Sequence, residues 1–180
     1  MELLSPTDSI FLIGESREHP MHVGALQLFD PPANGPDGFV HELYEQVTAL
    51  TDFSPMFRKR PATLLGGIAN IGWTVDDDVD VSYHLRRSAL PTPGRIRDLL
   101  ELISRLHSTL LDRHHPLWEA HVIEGLPEGR FAVYTKMHHS LVDGVSALKL
   151  TMRALSDDPD DTELRVPWAL PARTSKRPAV

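Results

Sequence analysis

The chain predicts an α/β fold, a two-layer α/β (α+β) sandwich with helices laid on a sheet, and three observations lead there. Ile96, Leu99, Leu100, Ile103, Leu106, Leu110 and Leu111 recur at helical spacing as one apolar stripe opposite a charged face, which predicts a long helix packed on a sheet. Trp118–Ile123 and Phe131–Met137 flank Glu124-Gly125-Leu126-Pro127-Glu128-Gly129, which predicts two strands joined by a turn. Val145, Leu148, Met152 and Leu155, with Ala147, Leu150 and Ala154 as a second apolar face, predict a helix buried on most sides. With 180 residues, 41% of them hydrophobic, the chain can bury a core without disulfides or metals.

The other elements follow in order. Ser5 and Asp8 with Pro6 between them mark a helix start, and Ile10, Phe11 and Leu12 give that helix an apolar side. His22–Phe29 reads as a strand ending at Asp30-Pro31-Pro32, and Asn34-Gly35-Pro36-Asp37-Gly38 is a loop by its turn chemistry. Phe39, Leu43, Val47 and Leu50 mark an amphipathic helix. Thr63–Trp73 and Val75–Leu85 read as extended or irregular, interrupted by Asp76-Asp77-Asp78. The long helix is expected to start at Pro93 or Gly94. From Ser156 onward, Pro159, Pro167, Pro171 and Pro178 among acidic and then basic residues give a linker composition, so 1–155 reads as the folded subdomain and 156–180 as a Pro-rich linker.

Composition narrows the chemistry. No cysteine is present, which excludes a disulfide scaffold, a thiolate nucleophile and a covalent thioester on this chain. A net charge of −7 argues against nucleic acid, whose phosphates need a concentrated basic surface. No apolar run reaches the ~18 residues of a membrane-spanning helix. Met1-Glu2-Leu3-Leu4 lacks the basic-then-apolar order of a signal peptide, so the chain reads as cytoplasmic.

The stretch built for chemistry is His138-His139-Ser140-Leu141-Val142-Asp143-Gly144, the hinge between a strand and a helix. By period two, Phe131, Val133, Thr135, Met137 and His139 share one strand face. A neutral imidazole there suits general base catalysis on a hydroxyl or amine, worth ~100 to 10,000-fold in rate, or roughly 3 to 5 kcal/mol of barrier. Asp143 either orients the ring or braces the loop as an N-terminal helix cap. Gly144 lets the backbone turn sharply or approach a ligand closely.

Other candidates are weaker. His114-His115 fall short of the three or four convergent donors of a metal site, and Asp76–Asp80 lack calcium-loop spacing, so no metal is expected. Ser140 lies in no Gly-x-Ser-x-Gly elbow, and no Gly-x-Gly-x-x-Gly or Walker sequence offers a phosphate cradle.

His-His-x-x-x-Asp-Gly resembles the signature shared by coenzyme A-dependent acyltransferases and peptide-synthetase condensation domains. Further segments narrow the resemblance to the bacterial bifunctional wax ester synthase and diacylglycerol acyltransferase family. They are Leu4-Ser5-Pro6-Thr7-Asp8-Ser9-Ile10-Phe11, Met21–Leu26, Val79–Arg87 with Leu90-Pro91-Thr92-Pro93-Gly94, and Pro116-Leu117-Trp118-Glu119, in the family's order over nearly the whole chain.

The resemblance implies a chloramphenicol acetyltransferase-like fold, of which this chain is one subdomain. It implies His139 as general base, with His138 shaping the loop, Asp143 and Gly144 completing the motif, and Pro116, Leu117 and Trp118 near substrate. It implies acyl-coenzyme A as co-substrate with no bound cofactor, and diacylglycerol or a long-chain alcohol as acceptor. Peripheral attachment to a membrane or lipid droplet is expected of such an enzyme. The family's second subdomain and its Asn-Asp motif are absent from these 180 residues and are expected in a continuing chain or a separate polypeptide. Two rival readings stay open: a condensation domain using carrier-protein thioesters and an amine acceptor, and a catalytically silent half that binds lipid or regulates a partner.

Overall fold

The computed structural model describes residues 2–64 and 69–171; residues 65–68 of the Thr63–Trp73 stretch, and the linker residues from 172 on, including Pro178, lie outside the described residues. In order, the regular elements are β1 (Glu2–Leu3), α1 (Pro6–Gly14), β2 (His22–Phe29), α2 (Phe39–Thr48), β3 (Lys59–Leu64), β4 (Ala69–Val75), α3 (Val81–His84), β5 (Leu85–Ala89), α4 (Ile96–Ser108), β6 (Trp118–Glu124), β7 (Phe131–His138) and α5 (Gly144–Arg153). A four-stranded sheet has the order β2-β7-β6-β5, antiparallel except for the parallel β5–β6 pair. A smaller sheet, β1-β4-β3, pairs Glu2–Leu3 with two strands that run into the Thr63–Trp73 stretch expected to be extended or irregular. The α/β class stands.

Strand alternation divides the core. One face of the larger sheet points Ile123, Ala132 and Tyr134 at Leu99, Leu102, Ile103 and Leu106 of α4. The other points Leu85, Trp118, Ala120 and Met137 at α2, α5 and Trp168. The long helix begins at Ile96, the first residue of its stripe and two or three residues after the expected Pro93 or Gly94, because Gly94 is spent on a close approach. Gly94 has φ +70°, and a Cβ there would fall 1.7 Å from the Gly125 carbonyl oxygen, so only glycine fits. Asp98 then accepts from the Arg95 N–H at 3.0 Å, fixing the start of α4. Ile96 and Leu100 of the expected stripe are exposed, while Leu102 packs inward and Leu111 belongs to a separate cluster with Leu12, Trp73 and Leu117.

Three further expectations are corrected. Ile10 and Ile13 of α1 face outward, and Leu12 is the side chain that helix buries. The helix after the motif is not buried on most sides: Val145, Leu148, Met152 and Leu155 are 47 to 63% exposed, and only the Ala147–Leu150 side packs on the core. The fold does not end near Leu155. Trp168 is buried and stacks on Trp118 at 5.3 Å, and Ser54 N–H donates to its carbonyl at 2.7 Å, so the proline-rich segment through Leu170 is part of the core rather than a linker. The prolines limit the entropy that segment loses on docking, which offsets its few apolar residues.

Candidate active site

Where β7 ends, backbone bonds to both neighbouring segments clamp the chain. The His138 N–H donates to the Leu117 carbonyl at 3.0 Å, and the His139 N–H donates to the Met21 carbonyl at 2.8 Å. Leu141 and Val142 then donate back to the His138 carbonyl at 2.9 and 3.3 Å, closing a tight turn. The turn delivers Asp143 as N-cap of α5, accepting from Ser146 N at 2.8 Å and Ser146 Oγ at 3.0 Å. Those bonds from Ser146 hold its carboxyl below the usual range. Among the described residues no hydrogen bond joins Asp143 to either imidazole, so of its two possible roles the structure supports bracing. Gly144 opens α5 without a left-handed backbone, and a side chain there would meet nothing within 4 Å, so open space rather than a sharp turn distinguishes it.

The adjacent histidines have opposite surroundings. His138 is fully buried. Ser140 N–H donates to its Nδ1 at 3.1 Å, with Ser140 Oγ 2.6 Å from the same atom. An Nδ1 that accepts must be unprotonated, which assigns the ring proton to Nε2, 3.3 Å from Glu15 Oε1. His139 lies just beyond the end of β7. Its ring stacks on Phe11 of α1 at 4.9 Å with planes 15° apart. It opens onto a cavity of about 470 Å³ bounded by Thr7, Phe11, Met56, Asp143 and Leu150.

Glu15, next to α1, is the residue that sequence reasoning missed. Its side chain is 2% exposed and accepts from Arg113 Nη2 at 3.1 Å and from the Met21 N–H at 3.3 Å, with His138 Nε2 3.3 Å away. Burial raises its pKa, but the His138 ring beside it, then the Arg113 and Met21 N–H hydrogen bonds, outweigh burial and hold the carboxyl at about 2. Arg113 also donates to the Leu12 carbonyl at 2.6 Å, tying α1 to the segment before β6. In sequence, Glu15-Ser16-Arg17-Glu18-His19 looks like a solvated loop, and no periodicity singles out one carboxylate for burial.

Pro116, Leu117 and Trp118, expected near substrate, are packing residues in the structure. All three are buried, and none lines the His139 cavity. Leu117 supplies the carbonyl that registers His138. Trp118 lies between His84 at 4.4 Å and Trp168, with its Nε1 donating to the Phe57 carbonyl at 2.9 Å. His84 donates Nδ1–H to the Trp118 carbonyl at 2.7 Å, and burial pushes its pKa down to about 4. His114 pairs with Asp112 and His115 stacks on Tyr83, and among the described residues no three His, Asp or Glu side chains converge as a metal site would need.

Comparison with known proteins adds to this geometry. The family described as the wax ester synthase/diacylglycerol acyltransferase catalytic domain matches residues 4–180. A probable diacylglycerol O-acyltransferase of Mycobacterium tuberculosis is 64% identical over 178 residues, covering 99% of this chain and 39% of that protein. O-acyltransferase WSD of Acinetobacter baylyi is 43% identical, covering 98% of this chain and 37% of that protein. The solved wax ester synthase/diacylglycerol acyltransferase from Marinobacter aquaeolei superposes with TM-score 0.89 at 46% identity, over 100% of this chain and 43% of its own. The first condensation domain of a calcium-dependent antibiotic synthetase superposes with TM-score 0.58 at 16% identity, over 83% of this chain and 36% of its own, and shares the fold alone. The chain thus spans about two fifths of the length of the curated relatives it matches.

Proposed function

The chain belongs to the wax ester synthase/diacylglycerol acyltransferase family, and from that premise we propose that it supplies the base-bearing half of an acyl-coenzyme A-dependent O-acyltransferase. The acceptor is diacylglycerol, giving triacylglycerol, or a long-chain alcohol, giving a wax ester. One observation carries the reading: of two adjacent histidines, His138 is buried and committed to Glu15 and Ser140, while His139 faces a 470 Å³ cavity.

In the proposed reaction, neutral His139 takes the proton of the acceptor hydroxyl as that oxygen attacks the thioester carbonyl. A carbon–oxygen bond forms, and the charge developing on the carbonyl oxygen meets backbone N–H groups around Gly144 at the start of α5. Collapse breaks the carbon–sulfur bond, and the departing thiolate of coenzyme A recovers the proton from the imidazolium. The chain has no cysteine to hold an acyl group, so the donor and acceptor meet in a ternary complex without a covalent intermediate on it. Asp143 and Gly144 set the start of α5, and His138 sets the loop.

A second subdomain, in continuation of the chain or as a separate polypeptide, is part of the proposal, as is peripheral contact with a membrane or lipid droplet. No helix among the described residues is long and apolar enough to cross a membrane.

The test is transfer of radiolabelled palmitoyl from coenzyme A to diacylglycerol and, in parallel, hexadecanol, by the complete gene product and by its His139→Ala variant. Product that drops ~100 to 10,000-fold in the variant supports the reading. No product from the unmodified protein moves the chain to a binding or regulatory role.

A further inference from the structure

The face of the larger sheet beneath α5 is underfilled. The sheet presents Ala25, Ala120 and Thr135 there, and α5 lays Gly144, Ala147 and Thr151 over them. Small side chains on both surfaces let the helix dock while leaving a gap that larger apolar residues would fill. A cavity of about 260 Å³ lies between the Val23–Ala25 end of β2 and the first turns of α5. A second, of about 240 Å³, runs on toward Phe29 and Trp168. Thr135 and Thr151 line both, so the two adjoin as one trough under the helix. Protein interiors are close-packed, and apolar volume left open forfeits contacts along its whole lining. A gap on this scale therefore wants an occupant.

We infer that this trough seats the fatty acyl chain of the coenzyme A thioester; the inference rests on the acyl-transfer reading of the His139 site. Three features select that occupant. The walls are mainly apolar, with Gln27, Tyr44, Arg86, Glu163 and Arg165 the larger polar side chains along the Phe29–Trp168 part, so a hydrocarbon rather than a headgroup matches most of the length. The trough extends from Val23 to Phe29 along β2, six residues or roughly 20 Å of strand, comparable with an extended C16 chain. Its near end opens at Gly144, where a Cβ would meet nothing within 4 Å. The first turn of α5 separates that mouth from the His139 cavity, since Gly144 and Ala147 line the trough while Asp143 and Ser146 line the cavity.

This division distinguishes donor from acceptor. A carbonyl held at the Gly144 N–H has its acyl chain beside the trough mouth, whereas a hydroxyl giving its proton to His139 approaches from the opposite side of the helix. The far end is closed by the stacked Phe29 and Phe131 rings, 5.2 Å apart, and by the segment bearing Trp168. The aromatic pair then acts as the ruler for chain length.

Thr151→Trp places a large ring where the two cavities adjoin, about halfway along. In the complete gene product, kcat/KM should fall about tenfold or more further for palmitoyl-coenzyme A than for butyryl-coenzyme A, at fixed acceptor. Phe29→Ala, at the half-buried edge of the sheet, should move the optimum toward longer donors. Direct binding of cis-parinaric acid, read by fluorescence without turnover, should be lost in Thr151→Trp. An unchanged donor profile with parinaric acid still bound overturns the trough. A profile that changes only with acceptor length, hexadecanol against butanol, overturns the donor assignment. Absence of all transfer would sink the catalytic reading instead, while parinaric acid binding would still report on the trough.

Discussion

The two faces of the larger sheet are filled by opposite means. Toward α4, an apolar cluster of Ile123, Ala132 and Tyr134 on Leu99 and Leu106 gives way, at the end nearer the motif, to a layer of charges and directed hydrogen bonds. Lys136, fully buried, donates to the Leu106 and Thr109 carbonyls at 2.7 and 2.8 Å and pairs with Glu119 at 2.6 Å. Burial raises the Glu119 pKa, but His121 at 3.5 Å and the Lys136 ammonium at 2.6 Å outweigh it and hold the carboxyl at about 2. Tyr134 Oη lies 2.7 Å from His107 Nδ1, and the Glu15–His138 pair continues the layer to the end of β7. Toward α5, the interior is apolar and leaves the trough open. A layer of ion pairs has one geometry and holds a strand end in place; an apolar surface has no directional demand and accepts a chain of methylenes. On the proposed reading, the first face positions His139 and the second holds substrate.

Lys136→Met should break the polar face most severely. It strands Glu119 in the interior with only Arg86, at 3.5 Å, and His121 for partners, costing about 3 to 5 kcal/mol in urea unfolding. Adding Glu119→Leu should recover most of that loss, because removing both members of a buried pair costs far less than removing one. Glu15→Ala should cost about 1 to 3 kcal/mol by taking from the Met21 N–H its acceptor and from Arg113 its carboxylate partner, and it should lower transfer equally for donors of every length.

The same face sets the acid limit. Glu15 and Glu119 titrate near 2 when folded against an ordinary value of 4.5. As pH falls from about 4.5 toward 2 the unfolded chain takes up protons that the folded chain refuses, so stability is whole above that window and is lost through it. Glu15→Gln should flatten this slope; an unchanged slope would show that Glu15 is not held ionised.

The smallest effects compare neighbours on β2 that point to opposite faces. Gly24→Ala would bring a Cβ within 3.0 Å of His107 Nδ1 and of Tyr134, both fixed by their mutual hydrogen bond, and should cost about 1 to 2 kcal/mol. Ala25→Val points into the trough and should change stability by less than about 0.5 kcal/mol. Equal costs at the two positions would erase the distinction between a filled face and an open one.

Much of this was legible where the signal is local. The Ser5 and Asp143 caps, β2, the β6–β7 pair and the hinge at His138–Gly144 all follow from short-range chemistry. The α4 stripe was legible in period but not in phase, since burial of Leu102 over Leu100 depends on which sheet residues lie beneath. The long-range features were not legible. Glu15 gains its role from His138, Trp168 from Trp118, and the exposed face of α5 reads in sequence like a buried one. The trough was hidden for the same reason: alanine, glycine and threonine in amphipathic elements look like ordinary core until facing small residues are brought together.

The most direct test of the division of labour is the ratio of kcat/KM for palmitoyl- to butyryl-coenzyme A, measured for Glu15→Gln and Thr151→Trp side by side in the complete gene product. The account predicts an unchanged ratio with lower absolute rates for Glu15→Gln, and a ratio reduced about tenfold for Thr151→Trp. A common ratio in both variants would contradict it, because the two faces would then be acting on the substrate in the same way.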